Sequence, residues 1–269
     1  MPRLEPVHHT FLNAYDSQLR TSSEMLRVSS IGRHGSLWFA VFPGGHGFVT
    51  YESLEGADAD EISELVDAAL AHFGARSDVT DVEWKTRAHD VAPGLHEILV
   101  SRGFVPEEPE SIMIGEAALL AQEVRVPAGV EIRQVRDEAE ILAMEEMLGG
   151  VFADQGWRTR AEATLAEWSA GSDTGLWIAL VDDDIVSAGR LEPVADTDFA
   201  GLWGGATLPH WRGRGIYRAL TARRARSALL QGKRFLNADC TEFSRPILER
   251  SGLIKVSTTT PYLRPQPST

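Results

Sequence analysis

Apolar and polar positions alternate through Trp38, Ala40 and Phe42 in "SLWFAVFPGGHGFVTYESL", and "PGGHG" interrupts the run, which predicts two strands around a turn. The period then changes. In "ADADEISELVDAALAHFG", Ile62, Leu65, Val66, Ala69 and Phe73 recur at helical spacing, behind acids in the first turn and ahead of Gly74. "VTDVEWKT" reads as a short strand, "PGLHEILVSRG" as a helix opened by Pro93 and followed by Gly103, and "ESIMIG" as another strand.

"AALLAQEVRVPAG" forms a junction, and a second series begins at "VEIRQV". Helix "DEAEILAMEEMLGGVFA" places Ile141, Met144, Leu148 and Phe152 on one stripe, and "TRAEATLAEWSAG" opens with Thr159 and Glu162 spaced as a capping box. "GLWIALVDDDIVSAGRLEPV" predicts a second hairpin turning at "DDD". After it come strand "FAGLWGGATL", helix "RALTARRARSALLQGK", strand "RFLNADC", helix "SRPILERSG" and a last strand or strands in "LIKVSTTTPYLR". Both halves thus run hairpin, helix, strand, short helix ending in glycine, strand. "EILVSRGF" and "PILERSGL" align on Ile98/Ile247, Leu99/Leu248 and Gly103/Gly252. This order predicts a structural duplication, with one domain over residues 1–120 and a second over 121–269.

The totals narrow the class. With 269 residues, 43% hydrophobic and 24% charged, the chain has the composition of a soluble globular protein with room for two ordinary domains. No apolar run approaches the ~20 residues that span a bilayer, and "MPRLEPVHHTF" has no signal-peptide apolar stretch, so the expectation is a cytoplasmic protein without a membrane partner. Charge is uneven: 8 Lys+Arg against 19 Asp+Glu before residue 121, and 18 against 20 from there on. An acidic first half argues against nucleic acid as a partner. The lone Cys240 has no partner for an internal disulfide and reads as a buried thiol.

Against a net charge of -13, six arginines fall between Arg212 and Arg226, around "HWRGRG". Strand, glycine turn and helix in succession expose unpaired N–H groups at a helix start, where anions are favoured, and Gly213 and Gly215 leave room for oxygens. A dinucleotide fingerprint would need a glycine where Arg218 stands, and a P-loop would need Gly-Lys-Ser/Thr, so neither fits. From "GRG" alone, a tight turn before a surface helix with solvated arginines accounts for the residues equally well.

"ATLPHWRGRGIYRALT" resembles the acyl-CoA-binding motif of the GNAT superfamily of N-acetyltransferases, Arg/Gln-x-x-Gly-x-Gly/Ala after the central strand. Arg212 and Gly215 match the first two fixed places, and Tyr217 stands where the family prefers Gly or Ala. The resemblance covers residues 128–264 in element order. It implies an α/β (α+β) fold of two GNAT-like domains, each a mixed, mostly antiparallel sheet flanked by helices, the first degenerate. In that first copy "YESLEGADADEI" replaces the phosphate turn, and its carboxylates would repel a pyrophosphate. The resemblance further implies acetyl-CoA as cosubstrate, held by Ala206, Thr207 and Leu208 at the strand end and by Arg212, Gly213, Arg214, Gly215, Ile216 and Tyr217 in the turn and helix start.

Acetyl transfer to an amine asks for a base, since an alkylamine of pKa ~10.4 is mostly protonated at neutral pH. Glu192 is the leading candidate, with Asp239, Glu242 and His210 behind it. It also asks for an acid at the departing thiolate. The family's usual tyrosine falls at Leu248, which cannot donate a proton, so Tyr217 is the candidate substitute, with packing beside cofactor or core as the competing role. His89, Asp90 and His96 match no standard metal spacing, and no metal is expected. Trp157, Trp168, Trp177, Trp203 and Trp211 line either a substrate pocket or a core. The expected function is an N-acetyltransferase acting on a small-molecule amine, with a homodimer compatible. Aminoacyl-tRNA is disfavoured as an acceptor by the missing basic face, and a non-catalytic acyl-CoA-binding or sensing protein is the second reading.

Overall fold

The computed structural model describes residues 4–25, 28–242 and 244–266. They form two compact units, one drawn from Met1–Met113, Asp239–Arg245 and Lys255–Thr269, the other from Ile114–Ala238 and Pro246–Ile254. The first holds α1 (Leu4–Gln18), β1 (Ser30–His34), β2 (Leu37–Phe42), β3 (His46–Tyr51), α2 (Ala59–Gly74), β4 (Asp81–Arg87), α3 (Leu95–Ser101), β5 (Val105–Pro106) and most of β6 (Glu110–Glu116). The second holds α4 (Ala117–Leu120), β7 (Glu131–Gln134), α5 (Glu138–Phe152), α6 (Trp157–Ser169), β8 (Gly175–Val181), β9 (Asp184–Pro193), β10 (Phe199–Thr207), α7 (Ile216–Leu230), the start of β11 (Phe235–Cys240) and most of α8 (Arg245–Ser251). Strand β12 (Ile254–Pro265) returns the chain to the first unit. A linear split at residue 120 therefore describes neither unit: the first takes back the C-terminal strand, a non-local pairing that no local pattern announces.

In the first unit the strands lie in the order β1-β2-β3-β4-β12-β6, with β5 beside β12. β3 pairs with β4 in parallel, whereas β1 with β2, β2 with β3, β4 with β12 and β5 with β12 are antiparallel. Ile62, Val66, Ala69 and Phe73 of α2, the stripe read from sequence, pack on Leu37, Phe39, Val49 and Trp84. Helix α1 is seated by Phe11 and Tyr15, with Leu19 one step further at the same spacing of four.

The second unit orders its strands β11-β10-β9-β8-β7, antiparallel except for β10 with β11. Along β8 the period of two sends Ile178 to α5 and Ala179 to α7. On β9, Ala188 joins Ile178, Ile141, Met144 and Leu148 on the α5 side, while Val186, the extra residue where the β8–β9 register shifts between Ala179↔Ser187 and Leu180↔Ile185, joins Ala179 and Ile216 of α7. Each unit is thus a mixed, mostly antiparallel sheet flanked by helices. The hairpin predicted at "DDD" turns on Asp182 and Asp183, both with positive φ, 49° and 70°.

Two sequence expectations for this unit are corrected. Helix α6 begins at Trp157 behind Gly156, so Thr159 and Glu162 form no capping box. The start is set by tertiary packing, because Trp157 lies on Gly149 of α5, where a Cβ would stand 2.6 Å from its own Cβ. Phe152 leaves the α5 stripe and is 54% exposed, since the helix ends there and Ala153 turns left-handed. Buried Glu145 ties α5 to α6, accepting from Arg160 Nε at 2.7 Å and Thr164 Oγ1 at 3.0 Å. Among the described residues no helix is long and apolar enough to cross a membrane.

Candidate active site

Two irregularities in β10 build the site. On one side, its pairing with β11 lasts only from Phe199↔Phe235 to Gly201↔Asn237, although both strands continue. Beyond Gly201 that edge of β10 is left without a strand partner. On the other side, four residues of β10, Trp203 to Ala206, oppose three of β9, Arg190 to Ala188, so one extra residue bulges. Gly204 takes the left-handed conformation the bulge requires, φ 57°.

The expected backbone donors sort themselves by strand alternation. Leu208 N–H is spent on Val186 O at 2.9 Å, so Leu208 cannot serve a thioester as the sequence reading expected. Thr207 O accepts from Arg212 Nε at 3.0 Å, outside the β9 ladder. Because N–H and C=O of one strand residue point the same way, Thr207 N–H faces the open edge. Ala206 is buried between β10 and α5.

After Thr207, a 3-10 turn (Pro209–Trp211) leads into Arg212, Gly213, Arg214 and Gly215. Gly213 and Gly215 both have positive φ, 74° and 84°, and a Cβ on either would meet nothing within 4 Å. Gly215 is the N-cap of α7 and provides no side-chain cap, so the first N–H groups, from Ile216 onward, stay available to an outside acceptor. Arg212, Arg214 and Arg218 are exposed around them, Arg214 stacked on Trp211 at 4.4 Å. An open strand edge, a bulge and an uncapped helix start thus follow one another, presenting backbone N–H groups to one side.

The acid and base candidates approach β10 from opposite faces. Tyr217 folds back from the first turn of α7 until its ring covers Gly205: a Cβ there would collide with Oη and lie 2.8 Å from Cε2. Alternation along β9, from Ala188 on the α5 side and Gly189 on the α7 side, places Glu192 on the α5 side. Glu192 is half-buried, registers with Gly201 and pairs with Arg190 at 3.5 Å. Beside it Trp203 lies over Gly201, where any side chain would strike the indole. His210 is exposed in the turn. Leu248 is 4% exposed in α8 and does a core residue's work.

The remaining candidates belong to the first unit and are engaged there. Asp239 accepts from Lys85 Nζ at 2.9 Å. Glu242 accepts from Ser111 Oγ, which with Arg245 and Lys255 holds its carboxyl below the usual range. Burial, with Asp239 and Glu110 nearby, pushes the Cys240 thiol up to about 11, so it is an inert buried thiol. His89 bonds Ser257 and Asp16 and, with Asp90, meets Arg20 Nη1, while His96 bonds Tyr262 apart from them.

The first unit carries the matching features in closed form. Parallel pairing of β3 with β4 also stops early, at Val49↔Trp84. Here Glu24 reaches past the break, accepting from Thr50 Oγ1 at 2.6 Å and from Arg87 at 2.5 Å, while Arg20 Nη2 donates to Tyr51 O. Burial opposes the Glu24 charge, yet Arg87 and Lys85 hold its carboxyl down to about 2. Helix α2 starts with a full capping box: Asp58 accepts from Asp60 and Glu61 N–H, and Glu61 accepts from Asp58 N–H.

The sequence model of the acetyltransferase (GNAT) family matches residues 140–248. Among solved structures, the chain is similar to a GCN5-related N-acetyltransferase from Kribbella flavida, with TM-score 0.70 and 17% identity over 94% of this chain and 95% of that one. It is also similar to a GCN5-related N-acetyltransferase from Sphaerobacter thermophilus, with TM-score 0.66 and 15% identity over 87% and 78%. A third likeness is to a tandem GNAT protein from the clavulanic acid biosynthesis pathway, with TM-score 0.61 and 12% identity over 87% and 79%. No curated protein matches the chain significantly. At such identities the likeness is one of fold, and its extent takes in both units.

Proposed function

We propose that the second unit, in which residues 140–248 match the sequence model of the acetyltransferase (GNAT) family, transfers an acetyl group from acetyl-CoA to the amine of a small molecule. The observation that carries this reading is the uncapped start of α7 at the end of the bulged, half-unpaired strand β10. In this reading Arg212 to Ile216 hold the pyrophosphate and the free edge of β10, Thr207 N–H included, holds the pantetheine arm. Tyr217 lies beside the arm. The first unit, its corresponding helix start capped by Asp58, holds no acyl-CoA.

Glu192 receives the proton of the incoming amine, whose nitrogen bonds to the thioester carbonyl carbon as the carbon–sulfur bond breaks. Tyr217 Oη gives its proton to the departing sulfur and regains one from solvent. Base and acid on opposite faces of the sheet keep the two proton transfers apart. An acceptor arriving on the α5 side meets Glu192, Arg190 and Trp203.

A second reading, an acyl-CoA-binding or sensing protein without turnover, draws on Leu248, which offers no proton. Thermal shifts with acetyl-CoA, longer acyl-CoAs and ADP test the site shared by both readings. Ligand at 100 times its Kd stabilises by ~2.7 kcal/mol. No shift with any CoA overturns both; a shift with thiol release across an amine panel selects the enzyme, and a shift without release selects the sensor.

A further inference from the structure

Arg224, on α7 two turns after Tyr217, is 0% exposed. Its Nη1 donates to Arg190 O at 3.2 Å, its Nη2 to Thr221 Oγ1 at 3.2 Å, and its Nε has no hydrogen-bond partner. Among the described residues no carboxylate pairs with it. A buried guanidinium without a counter-ion is costly and uncommon. Two further buried arginines show the ordinary solution, Arg87 with Glu24 at 2.5 Å and Arg20 with Asp90 at 2.8 Å.

The surroundings show where the charge is directed. A Cβ on Gly189 would stand 2.6 Å from Arg224 Nη1 and 3.3 Å from Gly205 Cα, so the guanidinium occupies a slot that glycine leaves in the sheet beside the bulge. Above it lies the ring of Tyr217, 5.6 Å from ring centroid to Arg224 Cζ, and that ring covers Gly205. Two glycines on neighbouring strands thus seat an unpaired cation and a phenol, one against the other, under the strand that the acyl group is proposed to follow.

We propose that Arg224 is a positioning residue for acyl transfer: through the face of the Tyr217 ring it holds the phenol against Gly205. Its uncompensated charge favours the negative charge that develops at the thioester oxygen and the departing sulfur. The inference rests on the acyl-transfer reading above. A missing counter-ion is then a property of the resting protein, because the matching anion forms only during the reaction. Pairing Arg224 with a permanent carboxylate would cancel that effect.

The test combines four variants, Arg224→Met, Arg224→Lys, Tyr217→Phe and the double variant Arg224→Met/Tyr217→Phe, followed by acetyl-CoA thermal shift, melting temperature and kcat and KM from thiol release. Arg224→Met is expected to melt at or above the wild-type temperature, as replacing a buried charge by an apolar chain of similar length allows. It should keep its acetyl-CoA shift and its KM within about threefold, and lose on the order of 10- to 100-fold in kcat. Arg224→Lys should recover part of that rate, and the double variant should be no slower than the slower single variant, because the pair acts as a unit. Full kcat in Arg224→Met overturns the proposal, as do losses in the double variant that multiply or a melting temperature that falls in step with kcat. Wild-type protein without any acetyl-CoA shift overturns the acyl-transfer reading and the proposal with it. A wild type that binds and turns over beside an unimpaired Arg224→Met overturns the Arg224 role alone.

Discussion

Each unit contains a pair of parallel strands whose pairing stops early and a helix that starts after the first strand of the pair, yet one copy is open and the other filled. In the second unit β10 parts from β11, and α7 begins at Gly215 with no cap. In the first, Arg20 donates to Tyr51 O beyond the break, Glu24 accepts from the Thr50 hydroxyl and from Arg87, and Asp58 takes the N–H groups at the start of α2. The difference is one of chemistry laid on a shared frame: the helix start in the first unit is closed by its own carboxylate, and that in the second is left uncapped.

The largest expected break of this comparison is Glu24→Ala, which strands buried Arg87 and should cost about 3–5 kcal/mol, a fall of roughly 10 °C in melting temperature. Acid reaches the same group next. The Glu24 carboxyl lies below its ordinary value, so its contribution is complete above about pH 5 and is lost as pH falls towards 2. That loss is on the order of 3 kcal/mol in pH-dependent unfolding, and Glu24→Gln should flatten it. In the open unit, Gly215→Glu places a carboxylate at the anion position and should abolish the ~2.7 kcal/mol that saturating acetyl-CoA adds, read as a lost thermal shift. Retained affinity would place the acyl-CoA site elsewhere. The smallest effect is Asp58→Ala, about 1 kcal/mol from the lost cap by chemical denaturation, with no acetyl-CoA binding gained by the first unit.

Local signals made much of this legible. Helices α2 and α7, the "DDD" hairpin and the glycine turn follow from periodicity and from residues with few conformational alternatives. The bulge did not announce itself, because "GLWGG" reads equally as a plain strand until its register with β9 is known. Helix α1 carried its signal at Phe11, Tyr15 and Leu19, but the polar residues around them hid the stripe. Arg224 looked like one more solvated arginine of "RRARS", since burial of a cation depends on Gly189 and Gly205, far away in sequence. The base candidates Asp239 and Glu242 are told apart from a catalytic carboxylate only by their tertiary partners, Lys85 and Ser111.

Strand β12 lies between β4 and β6 in the first unit's sheet. Its pairing runs from Thr259↔Arg87 to Pro265↔Asp81. The first unit therefore cannot close its sheet until β12 has been made, although most of its strands precede the second unit. The second unit, drawn from Ile114–Ala238 and Pro246–Ile254, needs nothing beyond Ile254. Loss of β12 would therefore damage strands laid down some 170 residues earlier more than the helices and strands that immediately precede it.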